Sequence, residues 1–104
     1  MKAETLKGHL DGLILATLRD GPAHGYAVIE SLKQRSGGAF DLAEGTVYPV
    51  LHRLEADGLL SSAWSTAAGR RRRVYRLTRR GRAALADRRT EWTSFVNAVE
   101  SVLA

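Results

Sequence analysis

The first half of the chain alternates helical periodicity with glycine-containing breaks. Apolar residues recur every three or four positions from Leu6 to Leu18, the spacing of one buried helix face. Asp20-Gly21-Pro22 ends this stretch, because glycine ends helices easily and proline cannot continue one. Two further helices are predicted over residues 24–36 and 44–57, each followed directly by glycine. The pattern therefore predicts three short helices separated by tight breaks.

The period changes after the third predicted helix. Residues 59–66 and 71–77 approach strict alternation, and the Ala-Ala-Gly-Arg connection between them is of the hairpin type. Trp64 on the first strand is predicted to pack across onto the second strand. Thr78 is well placed to cap a last helix that continues to residue 104. The expected fold is mainly α with a small β-hairpin, in one compact domain.

The last predicted helix has an apolar pattern of its own. Two neighbouring rows at heptad spacing are how one helix packs along another over several turns. Partners within the chain are scarce at its end, so a dimer seam is predicted, with a tail helix packed on its own domain as the alternative. The predicted seam consists of Leu85, Trp92, Phe95, Val99 and Val102.

Charge is distributed unevenly along the chain. The net charge is +5, yet residues 70–89 contain ten arginines against the single acid Asp87 and so carry +9, which leaves −4 for the rest. Such a field suits a polyanionic partner, and the guanidinium group suits forked contacts to phosphate. A solvated charged surface is the alternative, and the predominance of arginine favours nucleic acid over it.

Composition excludes several classes of function. A chain of 104 residues supports one core, and the absence of cysteine excludes disulfides, thiolate metal sites and a cysteine nucleophile. No apolar run approaches the ~20 residues of a membrane span, and no signal peptide is recognisable. The histidines lie on different predicted helices, and Glu55 and Asp57 have the pattern of solvated charge. We therefore expect a cytoplasmic protein with no catalytic residues, metal, cofactor or membrane partner.

The third predicted helix has a face suited to nucleic acid. Tyr48, His52 and Arg53 lie on or beside the face opposite its buried stripe, where small neighbours allow close approach to a groove. A Tyr48 ring packed on the second helix and a merely solvated His52 are the alternatives. Pro49 is awkward inside a helix, so the regular helix is expected to begin later than Glu44 or to bend. A basic hairpin beside such a helix forms a winged helix, which docks one helix in the major groove.

Three stretches of sequence carry a family resemblance. They are Gly-Pro-Ala-His-Gly-Tyr at 21–26, the run from Glu-Gly-Thr-Val-Tyr-Pro to Gly-Leu-Leu at 44–60, and Arg-Val-Tyr-Arg-Leu-Thr at 73–78 with Gly81. With these motifs the chain resembles the PadR family of transcriptional regulators over nearly its whole length, in the branch with a single C-terminal helix. It departs from the family at Ala43, where a serine or similar cap is frequent.

The resemblance implies a dimeric winged-helix DNA-binding protein, usually a repressor that leaves its operator when a small molecule binds. By position, Thr46, Tyr48 and Pro49 fall in the family's recognition-helix motif and Tyr26 in its second-helix motif. Residues 70–73 fall in the wing. In some short members an aromatic residue on the last helix lines a drug-binding pore at the dimer interface, a position that Trp92 would take here.

These observations predict a homodimeric regulator with a winged helix-turn-helix over residues 1–78 and a dimerisation helix over 79–104. The expected partners are double-stranded DNA with an inverted-repeat operator, a second copy of the chain, and a small hydrophobic or aromatic inducer. A nonspecific basic module for RNA or nucleoid DNA is the alternative, and an interaction adaptor is another. The residues predicted to contact DNA are Tyr26, Thr46, Tyr48, Pro49, His52, Arg53, Arg70, Arg71, Arg72 and Arg73.

Overall fold

The computed structural model describes residues 3–104, which form four α-helices and a three-stranded antiparallel sheet. A short 3-10 helix precedes them, and the strands lie in the order β1-β3-β2. This architecture confirms the expectation of a mainly α fold with a small β element. The elements are the 3-10 helix Ala3–Leu6, α1 Leu10–Thr17, β1 Ala23–His24, α2 Gly25–Arg35, α3 Glu44–Ala56, β2 Leu60–Ala67, β3 Arg70–Leu77 and α4 Arg79–Leu103.

The sheet has one strand more than the sequence predicts. Ala23 and His24, expected at the edge of the second helix, instead pair with Tyr75 and Val74 of β3. A strand of two residues is too short to display an alternating pattern, so the sequence carried no signal for it. The longer strands β2 and β3 form a hairpin, here called the wing.

A tight turn closes the tip of the wing. The strands pair without interruption from Leu60 opposite Leu77 to Ala67 opposite Arg70. Only Ala68 and Gly69 connect them, and both have positive φ angles, 51° and 74°. This is the backbone geometry of a two-residue hairpin loop whose twist matches that of the strands. The turn lets both strands extend one residue further toward the tip than the alternation predicts.

One hydrophobic core joins all four helices to the base of the wing. Helices α1, α2 and α3 supply most of it, at the three- and four-residue spacings that predicted these helices. Tyr75 and Leu77 enter from β3, where alternate residues point inward. The fully or nearly buried residues of this core are Ile14, Leu15, Leu18, Val28, Ile29, Leu32, Val47, Leu51, Leu54, Leu60, Tyr75, Leu77 and Leu85.

Helix α3 begins at Glu44, so the expectation of a later start is wrong. Ala43 occupies the N-cap position in extended conformation and has no capping side chain, but its carbonyl accepts the N–H groups of Thr46 and Val47. Pro49 then lies inside the helix. Its missing N–H leaves the carbonyl of Gly45 without a helical partner, and this carbonyl belongs to an exposed residue that water can reach. Helix α3 therefore continues through Pro49 with one internal hydrogen bond fewer.

The first turns of α4 are locked onto the base of the wing. The Thr78 hydroxyl accepts the N–H of Gly81 at 3.0 Å and donates to the carbonyl of Gly58 at 2.7 Å, which confirms Thr78 as the helix cap. Gly81 is buried so tightly that an added Cβ would overlap the carbonyl oxygen of Leu59. The beginning of α4 is therefore part of the folded core.

Leu85 also belongs to the core, and its predicted place in the dimer seam is wrong. Its side chain is only 5% exposed because this part of α4 packs on α1. Arg88, one turn further, donates a hydrogen bond to the carbonyl of Gly8 at 2.7 Å. Beyond this point α4 projects from the core. The whole helix, Arg79–Leu103, is about 37 Å long, because an α-helix rises 1.5 Å per residue.

Candidate nucleic-acid interface

A cleft of about 660 Å³ separates the wing from the start of α2 and the exposed side of α3. Aromatic and basic side chains line it, and none of its lining residues in the described chain is acidic. The cleft brings together residues that the sequence places on three separate elements. Seven of the ten predicted DNA contacts line it, namely Tyr26, Tyr48, His52, Arg70, Arg71, Arg72 and Arg73.

Three predicted contacts lie outside the cleft, and one of them is engaged within the fold. Thr46 is half-buried on α3 and Pro49 is exposed there. The Arg53 guanidinium instead donates two hydrogen bonds to the carboxylate of Asp11 on α1, at 2.6 and 3.0 Å. The hydrogen bonds and charge of Asp11 raise the pKa of Arg53. Arg53 is thus paired with Asp11 within the fold, and its contact with DNA stays a prediction.

Tyr48 packs on α2 and also lines the cleft, and its contact with DNA stays a prediction. Its ring is half-buried against the first residue of α2, where an added Cβ at Gly25 would lie 2.6 Å from Cζ and 2.8 Å from the hydroxyl oxygen. Position 25 therefore needs glycine to admit the ring. Tyr48 also stands edge-on to exposed His52, with 6.4 Å between ring centroids. One side of the tyrosine packs on α2 while the other contributes to the cleft wall.

The wing arginines are held by specific neighbours. Trp64 lies opposite Arg73 in the strand register, and this confirms the prediction of a cross-strand packing role. Its ring centroid is 4.5 Å from Cζ of Arg71 and 5.3 Å from Cζ of Arg73. Cation–π attraction of this kind stabilises a guanidinium against a ring face while leaving its N–H groups free to donate. Trp64 thereby orders two cations on one face of the wing.

Arg72 points to the opposite face of the wing and meets His24 of β1. Its Nη1 lies 3.1 Å from Nε2 of His24. Burial, and then the positive charge of Arg72, lower the pKa of His24. A neutral imidazole nitrogen can accept this hydrogen bond, whereas a protonated one cannot. The short strand β1 therefore serves to place a histidine acceptor beside a wing arginine, a role that the sequence pattern did not reveal.

Arg73 is tied to α3 through a serine. Its Nε donates to Oγ of Ser62 at 2.7 Å, and that hydroxyl donates to Oε2 of Glu55 at 2.6 Å. The Glu55 side chain is 29% exposed and its Oε2 lies 3.9 Å from Nη2 of Arg73. The interpretation of Glu55 as solvated charge is therefore wrong. Sequence reasoning missed this network because its members lie on different elements and follow no common period.

A second exposed surface follows the projecting part of α4. Trp92, Phe95 and Val102 are 52%, 55% and 83% exposed. Next to Trp92, a shallow apolar groove of about 280 Å³ is lined by Phe95, Ala98, Val99, Val102 and Leu103. Trp92 also contacts Phe95 and the imidazole of His9, at centroid distances of 5.9 and 5.4 Å. Four of the five predicted seam residues thus form an open apolar surface, here called the α4 seam.

Neither a metal-binding cluster nor a membrane-spanning helix is found among the described residues. No group of three or more histidine, cysteine or acidic side chains in residues 3–104 is arranged to hold a metal ion. Within the same range, no helix has the length and apolar character needed to cross a membrane.

Comparison with known proteins supports the family resemblance. The model of the transcriptional regulator PadR-like family matches residues 14–87. A transcriptional regulator of Mycobacterium tuberculosis is 46% identical over 76 residues, which cover 73% of this chain and 68% of that protein. A PadR family transcriptional regulator from Eggerthella lenta superposes with a TM-score of 0.84 at 34% identity, over 96% of this chain and 86% of that one. Bacillus subtilis PadR, solved with operator DNA, gives a TM-score of 0.68 at 26% identity, over 76% and 45% of the two chains.

Proposed function

Because the chain belongs to the PadR-like family of transcriptional regulators, we propose that it is a homodimeric repressor of an inverted-repeat operator, released by a small hydrophobic or aromatic inducer. The family consists of DNA-binding regulators and not of enzymes. The observation that carries the proposal is the basic cleft between α3 and the wing. As a DNA-binding transcriptional regulator, the protein acts in the cytoplasm.

The proposed DNA contacts divide between two elements. Helix α3 enters the major groove with Tyr48, Pro49 and His52, since these side chains lie on or near its exposed side. The wing follows the adjacent backbone, where Arg70 and Arg71 donate to phosphate oxygens. Phosphate contacts fix the register of the protein and base contacts read the sequence, so α3 supplies specificity and the wing supplies affinity.

The proposed dimer forms through the α4 seam, over residues 92–104. A helix that projects from its own core with an apolar stripe removes that stripe from water by packing on a second copy. Two copies then present two α3 helices to half-sites about one duplex turn, ~34 Å, apart. In the same dimer Trp92 lies next to Phe95 at the start of the α4 seam. There its exposed indole face can hold a flat hydrophobic inducer.

Capture of genomic fragments on the purified protein, followed by sequencing, tests the proposal. We expect a small set of fragments sharing an inverted repeat, bound roughly 10³-fold more tightly than random duplex at the same salt concentration. Equal affinity for operator and random duplex would instead support the nonspecific nucleic-acid module. A reporter gene placed behind the recovered operator separates repression from activation.

Trp92→Ala tests the inducer site. If the indole holds the inducer, this variant keeps its dimer and its operator affinity but no longer responds to aromatic or cationic hydrophobic compounds. If the indole only packs in the seam, the variant loses dimer stability in sedimentation experiments. Deletion of residues 91–104 completes the test, because a stable dimer without them would eliminate the α4 seam as the interface.

A further inference from the structure

Glu55 lies beside the proposed DNA interface, where a negative charge opposes the approach of a polyanion. It is on α3, the helix that carries Tyr48 and His52, and its carboxylate lies 3.9 Å from a wing arginine. An acid at this position reduces the attraction of the cleft for phosphate unless it contributes in another way. The contacts of Glu55 indicate what that contribution is.

The carboxylate connects α3 to both strands of the wing. Ser62 of β2 donates to Glu55 at 2.6 Å and accepts from Nε of Arg73 at 2.7 Å, so a single hydroxyl joins the acid to the base. Trp64 covers the same guanidinium at 5.3 Å. Arg73 therefore has a carboxylate, a hydroxyl and an indole as neighbours, and each restricts its orientation.

This network is the outermost hydrogen-bonded link between the wing and α3 in residues 3–104. Beyond Ser62 every residue of β2 is exposed, up to the turn at Ala68. A two-stranded ribbon is marginally stable by itself, so its direction depends on what fixes its base. On the side of α3, the angle of the wing is therefore constrained at the level of Ser62 and Glu55, while His24 of β1 holds Arg72 on the other face of the wing.

We propose that Glu55 is a positioning residue for DNA binding, which acts through Ser62 and Arg73 to hold the wing at a fixed angle to α3. The inference rests on the proposed function. Arg73 then serves inside the protein, while Arg70 and Arg71 contact phosphate. Removing the negative charge of Glu55 should therefore weaken operator binding, although simple electrostatics demands the opposite.

Two pairs of variants test this expectation on the full-length protein. Glu55→Gln removes one negative charge from the network, and Asp57→Asn removes one from an exposed position two residues away. Ser62→Ala removes the hydroxyl without changing any charge, and Ser61→Ala does the same on the neighbouring exposed position. Each pair thus separates the network from a general change in charge or strand composition.

Operator affinity is measured by fluorescence anisotropy at several salt concentrations, well below the melting temperature of each variant. We expect Glu55→Gln and Ser62→Ala each to weaken binding about fivefold, as for residues coupled in one network. We expect their log–log salt slopes to become shallower by ~0.9 for each phosphate that the protein no longer neutralises. The two controls should keep the wild-type slope, and Asp57→Asn should bind as tightly as wild type or slightly better.

A direct measurement of wing orientation completes the test. Because the chain lacks cysteine, nitroxide labels on Ala56→Cys and Ala67→Cys report the distance from α3 to the wing tip, in samples diluted with unlabelled chain. Ser62→Ala should broaden the distance distribution, and Ser61→Ala should leave it narrow.

Unchanged or tighter operator binding by Glu55→Gln together with a narrow distance distribution in Ser62→Ala would overturn the inference. A purely structural role would lower the melting temperature without changing the salt slope, and that result would also overturn it. These outcomes are distinct from failure of the proposed function, in which the wild-type protein itself shows no preference for any operator.

Discussion

The wing and the projecting half of α4 each carry one exposed tryptophan, and the two surroundings are opposite. Trp64 on the wing is 54% exposed and Trp92 on α4 is 52% exposed. The guanidinium groups of Arg71 and Arg73 cover the ring of Trp64. Trp92 instead lies beside Phe95, at the start of the α4 seam. Exposure alone thus says little about what a large aromatic side chain does.

The difference lies in what each ring leaves for a partner. The two guanidinium groups over the ring of Trp64 offer N–H donors to an anionic partner. Trp92 offers apolar surface that water solvates poorly, which is typical of a protein or ligand interface. One type of residue therefore supports a nucleic-acid interface at one end of the molecule and a dimer interface at the other.

The largest effect is expected from a charge in the α4 seam. Phe95→Glu should convert the dimer to a monomer, because a buried unpaired carboxylate is costly at an interface. Operator affinity should then fall by about 10²- to 10⁴-fold, the advantage of engaging two half-sites at once. Sedimentation velocity and operator titration measure both effects.

Asn97→Glu is the matched control for the seam. Its side chain lies on the opposite side of α4, two residues and about 200° further around the helix. It adds the same charge, and the dimer should persist. A dimeric Phe95→Glu protein would mean that this surface has another purpose.

Gly81→Ala should destabilise the wing and α4 together, since Gly81 packs the start of α4 on the base of the wing. The new Cβ would overlap backbone atoms of Leu59, which cannot move without displacing the strand. We expect a loss of about 3 kcal/mol in the free energy of unfolding, as for overpacked cores. The melting temperature should fall by more than about 10 °C.

Gly45→Ala tests whether that destabilisation is specific to the site. An added Cβ at Gly45 meets nothing within 4 Å, so the change should stabilise α3 by about 0.5–1 kcal/mol through helix propensity. Similar melting temperatures for the two variants would contradict the packing described at Gly81. Thermal unfolding followed by circular dichroism makes the comparison.

A smaller effect is expected from neutralising the wing. Arg71→Ala combined with Arg72→Ala should weaken binding to operator and random duplex alike, and flatten the log–log salt dependence by ~0.9 for each phosphate left without its arginine. Arg82→Ala with Arg89→Ala removes the same charge from exposed positions on α4, outside the cleft. Equal slopes for the two double variants would remove the wing from the DNA interface.

The smallest effect concerns the tip of the wing. Ala68 has a φ of 51°, in the left-handed region that disfavours residues with a Cβ. Ala68→Asn creates the Asn-Gly pair preferred in such turns and should raise the free energy of unfolding by about 0.5–1 kcal/mol. Ala67→Asn, in the adjacent strand position, should be neutral or slightly destabilising. Chemical denaturation resolves differences of this size.

Much of the architecture was determined by local sequence. The three- and four-residue spacing of apolar positions predicted α1, α2 and α3, and alternation predicted the wing. The cap at Thr78 and the cross-strand packing of Trp64 were also predicted, because each depends on residues that are neighbours along the chain or across one hairpin. Periodicity is a local property, and it suffices wherever the determining contacts are local.

Contacts between separate elements were decided only by the tertiary structure. The links from Glu55 through Ser62 to Arg73, and from His24 to Arg72, join side chains whose separations along the chain follow no period. Leu85 makes the same point within a single helix. It precedes Trp92 by one heptad and shares its side of α4, yet α1 covers Leu85 and leaves the ring of Trp92 half-exposed. Heptad spacing determines which side of a helix is apolar. Tertiary packing determines which part of that side is covered by another helix of the same chain and which part is left exposed.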